Sequence, residues 1–186
     1  MTPCELKELI DGCCNNNRTA QEKLYMHFYA AMFKTCLRYT DDEHNALTIL
    51  NDAFLKVFKN IRRYDSGVGS FKPWLKTIVI NTAIDHIRAG KASTASIHIG
   101  CIEDIGEQDP VLATTWKQEE IKCHLKLLPQ ITRLVVNLFA FDGYTHKDIA
   151  RQLNITETTS RWHLSQARKR LRVSMNLKGN NKEKYV

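Results

Sequence analysis

The sequence predicts an all-α fold of two small helical domains: a three-to-four-helix N-terminal bundle and a C-terminal helix-turn-helix domain joined by a flexible linker. Three observations predict it. Apolar residues recur at helical spacing through residues 18–91, where no strand-like alternation interrupts them. A second helical block closes the chain, with a turn between two short amphipathic stretches. Charge divides the 186 residues in the same way: residues 1–17 carry a net −2, 18–91 a net +5, 92–116 a net −4 and 117–186 a net +8. Two basic blocks flanking an acidic strip suit two nucleic-acid-binding modules, because a basic surface gains free energy by displacing counterions from phosphates.

The first residues carry Glu5, Glu8 and Asp11 where a signal peptide would need a basic start, and no apolar run is long enough to cross a bilayer. A cytoplasmic protein with no membrane partner is expected. The six cysteines (Cys4, Cys13, Cys14, Cys36, Cys101, Cys123) form no CxxC pair and no alternation with histidine, so reduced thiols are expected rather than a zinc site or a disulfide framework. No cofactor is expected either.

Ala20, Leu24, Phe28, Met32 and Cys36 repeat every fourth residue, which predicts a helix over about residues 19–39. Ala46, Ile49, Leu50, Ala53, Phe54, Val57, Phe58 and Ile61 form a wider stripe with Lys56, Lys59 and Asn60 outside it. A third helix follows Pro73, which suits a first helical turn, with Trp74, Leu75, Ile78, Val79, Thr82 and Ile87 on its apolar side. Between the second and third helices, residues 62–71 place two glycines between aromatics and cations. An adaptable loop with such neighbours fits an unstacked single strand, since aromatic stacking supplies about 1–3 kcal/mol per base. Trp74 serves equally well as a platform or as bundle core.

Residues 92–110 are rich in Ser, Thr and Gly and show no sustained period, as a linker would. Leu128-Pro129 then opens an apolar helix, and Gly143-Tyr144-Thr145 restarts the chain. Over residues 146–153, Ile149 and Leu153 face inward, Ala150 permits close approach, and Asn154 suits the turn. Residues 156–171 read as the recognition helix. Leu164, Ala167 and Leu171 face inward, leaving Thr158, Arg161, Trp162, Ser165, Arg168 and Lys169 for a phosphate-lined groove.

Other function classes fit less well. A response regulator would show alternating strands and helices in its first half. A nuclease would need clustered carboxylates for metal ions, whereas the one acidic triplet, Asp41-Asp42-Glu43, sits where such residues cap a helix. No catalytic residue is assigned. A helix-turn-helix regulator, or an adaptor that binds polymerase without melting DNA, is the alternative reading.

The run 51–61 (Asn-Asp-Ala-Phe-Leu-Lys-Val-Phe-Lys-Asn-Ile), the run Phe71-Lys72-Pro73-Trp74-Leu75 with Asn81 and Asp85, and residues 159–171 together resemble the bacterial extracytoplasmic-function sigma factors of the sigma-70 family. The resemblance implies a transcription initiation factor that performs no covalent chemistry, binds core RNA polymerase and recognises promoter DNA with both domains. It implies docking of Asn51, Asp52, Phe54, Leu55 and Phe58 on a coiled coil of the polymerase's largest subunit, with a further contact at the flap. It places capture of a flipped non-template base of the minus-ten element at Ser66, Gly67, Val68, Gly69 and Ser70, flanked by Phe71, Lys72, Trp74, Asn81 and Arg88. Upstream duplex DNA falls to Thr158, Thr159, Arg161, Trp162, His163, Ser165, Gln166, Arg168 and Lys169. The implied domains are 1–91 and 117–175, joined by an acidic linker at 92–116 that threads toward the polymerase active centre and followed by a tail at 176–186.

Some positions depart from the family pattern. Leu47 and Thr48 stand where carboxylates are usual, Thr158 replaces a glycine, and Trp162-His163 replaces Ser-Arg, which removes a fixed cation from base readout. An exposed Trp162 would then anchor a thymine methyl or a targeting partner protein. A dedicated anti-sigma protein is a further partner the family often uses.

Overall fold

The computed structural model describes residues 1–40, 42–92 and 124–179, with side chains placed through 89 in the first part and 174 in the last. The linker expected at 92–116, apart from residue 92, and the end of the tail at 180–186 lie outside the described residues. The described chain is helical without a strand and forms two units, one within Met1–Ile97 and one within His98–Val186. No described helix is long and apolar enough to cross a membrane.

The first unit opens on a helix absent from the sequence expectation, α1 (Pro3–Cys14). Its start is a reciprocal cap: Thr2 Oγ1 accepts from the Glu5 amide at 3.3 Å, and Glu5 Oε2 accepts from the Thr2 amide at 2.7 Å. Pro3 fills the first turn, where a missing N–H costs nothing. The chain reverses through Asn16, at φ 57°, and Asn17 then caps α2 (Arg18–Cys36) by accepting from the Ala20 amide at 3.1 Å. The two helices meet closely, because a Cβ on Gly12 would lie 2.7 Å from that of Ala20.

Helix α2 buries Ala20, Leu24, Phe28, Met32 and Cys36, as its four-residue period requires. It ends at Cys36 rather than near 39, and a tight turn carries Tyr39 into the core. Asp42 caps α3 (Glu43–Asn60) through the Asn45 amide at 2.7 Å. Ala46, Ile49, Leu50, Ala53, Phe54, Val57 and Ile61 are buried, and Phe58 only partly so. A 3-10 turn at Ile61–Arg63 leads to the loop and then α4 (Phe71–Ala92). Helix α4 packs against both α2 and α3. Its buried arc therefore spreads to Phe71, Ile80, Ala83 and Ile84 beside Leu75, Val79 and Thr82, while Ile78 and Ile87 sit at its margins.

In the second unit, Leu125 and Leu128 lead to α5 (Gln130–Val136), which widens into a π-helical turn at Asn137–Phe141. Gly143 adopts φ 75°, a conformation L side chains rarely take, and turns the chain to Thr145. Thr145 caps α6 (His146–Leu153), accepting from the Asp148 amide at 3.2 Å. Asn154, left-handed at φ 54°, ends it. Thr156 caps α7 (Glu157–Gly179), so the recognition helix starts one residue later than expected and runs through Leu171 into the segment expected to be tail.

Candidate nucleic-acid and polymerase interfaces

The loop between α3 and α4 is built by short-range hydrogen bonds rather than by glycine freedom. Asp65 Oδ1 accepts from the Gly67 amide at 2.8 Å, the Val68 amide donates to the Asp65 carbonyl at 3.2 Å, and the Tyr64 hydroxyl donates to the Gly69 carbonyl at 3.0 Å. Neither Gly67 nor Gly69 uses a positive φ. Ser66, Gly67, Val68, Gly69 and Ser70 are all exposed, Val68 at 87%. Arg62 ties the loop's base to α1, its Nε and Nη2 donating to the Cys14 carbonyl at 3.2 and 2.9 Å. That bond also satisfies a carbonyl left over at the end of α1.

Behind the loop stands an aromatic cluster. The rings of Tyr64, Phe71 and Trp74 lie 5.2–5.5 Å apart, and Phe71 continues inward to Phe28 at 5.5 Å. Phe71 is 1% exposed and so is no contact residue; it carries the cluster on the core. Trp74 is half-buried, part core and part surface, which combines the two roles its sequence position left open. Lys72, Asn81 and Arg88 are exposed along α4.

On α3, Leu47, Asn51 and Leu55 recur at spacings of four along one outward face, with Leu47 39% and Leu55 57% exposed. Polar partners hold that face to its neighbours. The Tyr25 hydroxyl donates to Asn51 Oδ1 at 2.9 Å, Asp52 Oδ2 meets His86 Nε2 at 2.7 Å, and Lys56 Nζ meets Asp85 Oδ2 at 3.1 Å. The Lys56–Asp85 ion pair is well exposed, where such pairs contribute about 0–1 kcal/mol, so it orients side chains more than it stabilises the bundle. Phe54 corrects the sequence expectation. At 2% exposure it packs on Tyr25 at 4.7 Å and cannot reach a partner.

On α7, Thr158, Arg161 and Lys169 are exposed, and Thr159, Trp162, Ser165, Gln166 and Arg168 half-buried. Thr159 donates its amide to Thr156 Oγ1 at 3.0 Å, and their hydroxyls meet at 2.8 Å, so it belongs to the helix cap. Arg161 makes a 3.4 Å ion pair with Glu157, loose enough to exchange for a phosphate. Trp162 is not fully exposed as expected; it lies against the His163 ring at 4.9 Å.

His163 also corrects the sequence expectation. It is 9% exposed and points inward, with Nδ1 3.0 Å from Thr132 Oγ1 on α5, so it cannot read a base. Burial holds its pKa below the ordinary imidazole range. Ser160 and His146, which the sequence did not single out, form a matching pair. Ser160 is fully buried with its Oγ 2.9 Å from His146 Nδ1, and the imidazole stacks on Phe139 at 4.5 Å. Burial, then the Arg161 and Arg168 charges, push His146 below its ordinary pKa against an opposing pull from Glu157. The 160–163–164–167–171 spacing marks both residues as inward, but their polarity concealed it.

Comparison with known proteins agrees with this geometry. The family model described as Sigma-70 region 2 matches residues 24–93, and that of Sigma-70, region 4 matches residues 118–171. The ECF RNA polymerase sigma factor SigM of Bacillus subtilis (strain 168) is 26% identical over 157 residues, covering 83% of this chain and 94% of the relative. SigK of Mycobacterium tuberculosis (strain ATCC 25618 / H37Rv) is 22% identical over 174 residues, covering 90% and 92%. Among solved structures, the sigma factor RpoE of Bartonella quintana in complex with the anti-sigma factor NepR shares the fold at TM-score 0.54 and 19% identity, covering 83% of this chain and 96% of that one. CnrH in complex with the cytosolic domain of CnrY matches at TM-score 0.50 and 16% identity, covering 93% and 98%. With the two matched regions in family order on the two folded units, and relatives aligned nearly end to end, the chain belongs to the extracytoplasmic-function sigma factors of the sigma-70 family and directs RNA polymerase to promoters.

Proposed function

We propose that the two units divide promoter recognition between them: the first, within 1–91, docks on core polymerase and opens the minus-ten element, and the second, within 117–175, grips upstream duplex. The observation that carries this reading is the exposed, hydrogen-bonded loop at 64–70 standing on an aromatic cluster that is itself anchored in the core. Extruding a base costs a few kcal/mol of stacking and pairing, and a preformed loop beside Tyr64 and Trp74 offsets part of it without an ordering cost. Ser66, Gly67, Val68, Gly69 and Ser70 contact the flipped base, while Lys72, Asn81 and Arg88 follow the displaced strand.

The polymerase contact is the outer face of α3, with Asn51, Asp52, Leu55 and the edge of Phe58 meeting the coiled coil of the largest subunit; Phe54 supports that face from within. Leu47 and Thr48 supply an uncharged start to it, so docking depends less on salt than in a carboxylate-led helix. Upstream DNA meets Thr158, Arg161, Ser165, Arg168 and Lys169 in the major groove, with the end of α7 near phosphate. The residues at 92–116 link the units, and the second unit also contacts the polymerase flap. The factor works in the cytoplasm and contributes binding rather than covalent chemistry. By analogy with the anti-sigma complexes of its structural neighbours, a protein that covers these same faces would hold it inactive.

The test is promoter opening by holoenzyme, read as permanganate reactivity of unpaired thymines on a promoter mapped with the wild-type factor. Deletion of residues 67–69 is expected to leave polymerase binding intact and abolish thymine reactivity. Unchanged reactivity would overturn the assignment of the loop.

A further inference from the structure

The inner face of α7 is unusual for a small helical domain, since beside Leu164, Ala167 and Leu171 it carries two buried polar residues aimed at different helices. Ser160 meets His146 at the start of α6, and His163 meets Thr132 on α5. Apolar packing is tolerant of small rotations, because Leu and Ala surfaces keep most of their contact over several degrees. A hydrogen bond between buried groups is directional, and a turn of the helix that broke one would leave a desolvated imidazole or hydroxyl without a partner. Three residues apart and bonded to two separate helices, the pairs constrain both the rotation of α7 about its axis and its position along it.

We infer that the Ser160–His146 and His163–Thr132 pairs are positioning devices for the recognition helix, fixing which of Thr158, Arg161, Ser165 and Arg168 faces the bases. His163 thus acts on DNA recognition from the opposite side of the helix to the groove. The inference rests on the proposed upstream role of α7 and specifies how its register is set. The pairs also account for the departure at Trp162-His163: the imidazole's place is internal, so a cation at that position would be buried without a counter-charge. Burial keeps the His163 imidazole in its neutral form, which the bond to a hydroxyl suits. Ser160 and His163 serve no contact with DNA themselves.

The experiment selects sequences from a randomised duplex pool with holoenzyme carrying the full chain, comparing wild type with Thr132→Val, Ser160→Ala and the conservative Thr132→Ser. Valine keeps the shape of threonine and removes only the hydroxyl. Wild type is expected to enrich a defined upstream motif. Thr132→Val and Ser160→Ala should retain polymerase binding and helical circular dichroism, yet enrich a motif altered at two or more base positions or reduced at least tenfold in selectivity. Thr132→Ser should restore the wild-type motif. Identical motifs in all four proteins would overturn the inference while leaving the upstream role intact, whereas absence of any upstream motif with wild type would overturn that role itself. Loss of the folded second unit in both hydroxyl-deletion variants would also overturn it, assigning the pairs to stability alone.

Discussion

The two units, each proposed to present a surface to promoter DNA, have opposite interiors. Among the described residues, the buried polar side chains of the first unit are Thr35 and Thr82, and each bonds a carbonyl of its own helix, Ala31 at 3.1 Å and Ile78 at 2.9 Å. The polar pairs Asp52–His86, Lys56–Asp85 and Tyr25–Asn51 join its helices at or near the surface. The second unit buries His124, Thr132, Asn137, Ser160 and His163, and three of them, Thr132, Ser160 and His163, take part in bonds that bridge helices. A bundle that carries a loop needs only a stiff apolar platform, and the loop brings its own hydrogen bonds. For α7, proposed to enter a groove at a set rotation, directional constraints on the buried side would fix that rotation.

The comparison is broken most severely by removing the platform. Phe71→Ala should destabilise the first unit by about 3–5 kcal/mol, the usual cost of deleting a core phenylalanine. Trp74 fluorescence in a Trp116→Phe, Trp162→Phe background reports that unit alone. Thr132→Val should cost the second unit about 1–3 kcal/mol, since His163 Nδ1 is left buried without its partner. Denaturant unfolding followed through Trp162, with Trp74 and Trp116 replaced by phenylalanine, measures it.

The second interior also carries a pH signature. His146 and His163 both have folded pKa values depressed below the ordinary 6.5, so the unfolded chain takes up protons more readily. Their contribution to stability is complete above about pH 6.5, where both states are neutral, and falls as the pH drops below it. His146 faces Glu157, Arg161 and Arg168, and His163 meets neutral Thr132 and Trp162. Unfolding midpoints of the second unit should therefore decline as the pH falls below about 6.5, and His163→Gln should flatten that decline.

Smaller effects refine the first unit. Gly12→Ala should cost about 1–3 kcal/mol, because its Cβ would meet that of Ala20 at 2.7 Å and the helices must separate. Asp42→Ala should cost about 1 kcal/mol through loss of the α3 cap. Both are measured by thermal unfolding.

The helices α2, α3, α6 and α7 were legible because each keeps one buried face, so apolar spacing records it. Helix α1 was not inferred although Thr2, Pro3 and Glu5 spell a capping box; the short segment has a weakly apolar face that buries only Cys13, and period alone does not reveal it. Burial raises the Cys13 thiol to about 11 and Cys36 to about 12, so both stay protonated in the core. Family position identified α3 and the loop but not which side of a helix each residue occupies. Phe54 continues the Ala46–Leu50 stripe and Phe71 begins the buried arc of α4, so both are supports rather than contacts. His163 and Ser160 follow the inward spacing of α7 while their chemistry suggests solvent, and only the partners on α5 and α6, distant in sequence, explain their burial.

The outward face of α3 is proposed to dock on core polymerase. The most direct measurement is co-elution of the purified chain with core RNA polymerase, wild type beside Leu55→Glu. Leu55 is 57% exposed, so the substitution leaves the bundle folded, unlike a change at buried Phe54. Wild type is expected to co-elute, and folded Leu55→Glu to lose at least tenfold in affinity, about 1.4 kcal/mol. Equal co-elution of the two proteins would contradict the proposed docking.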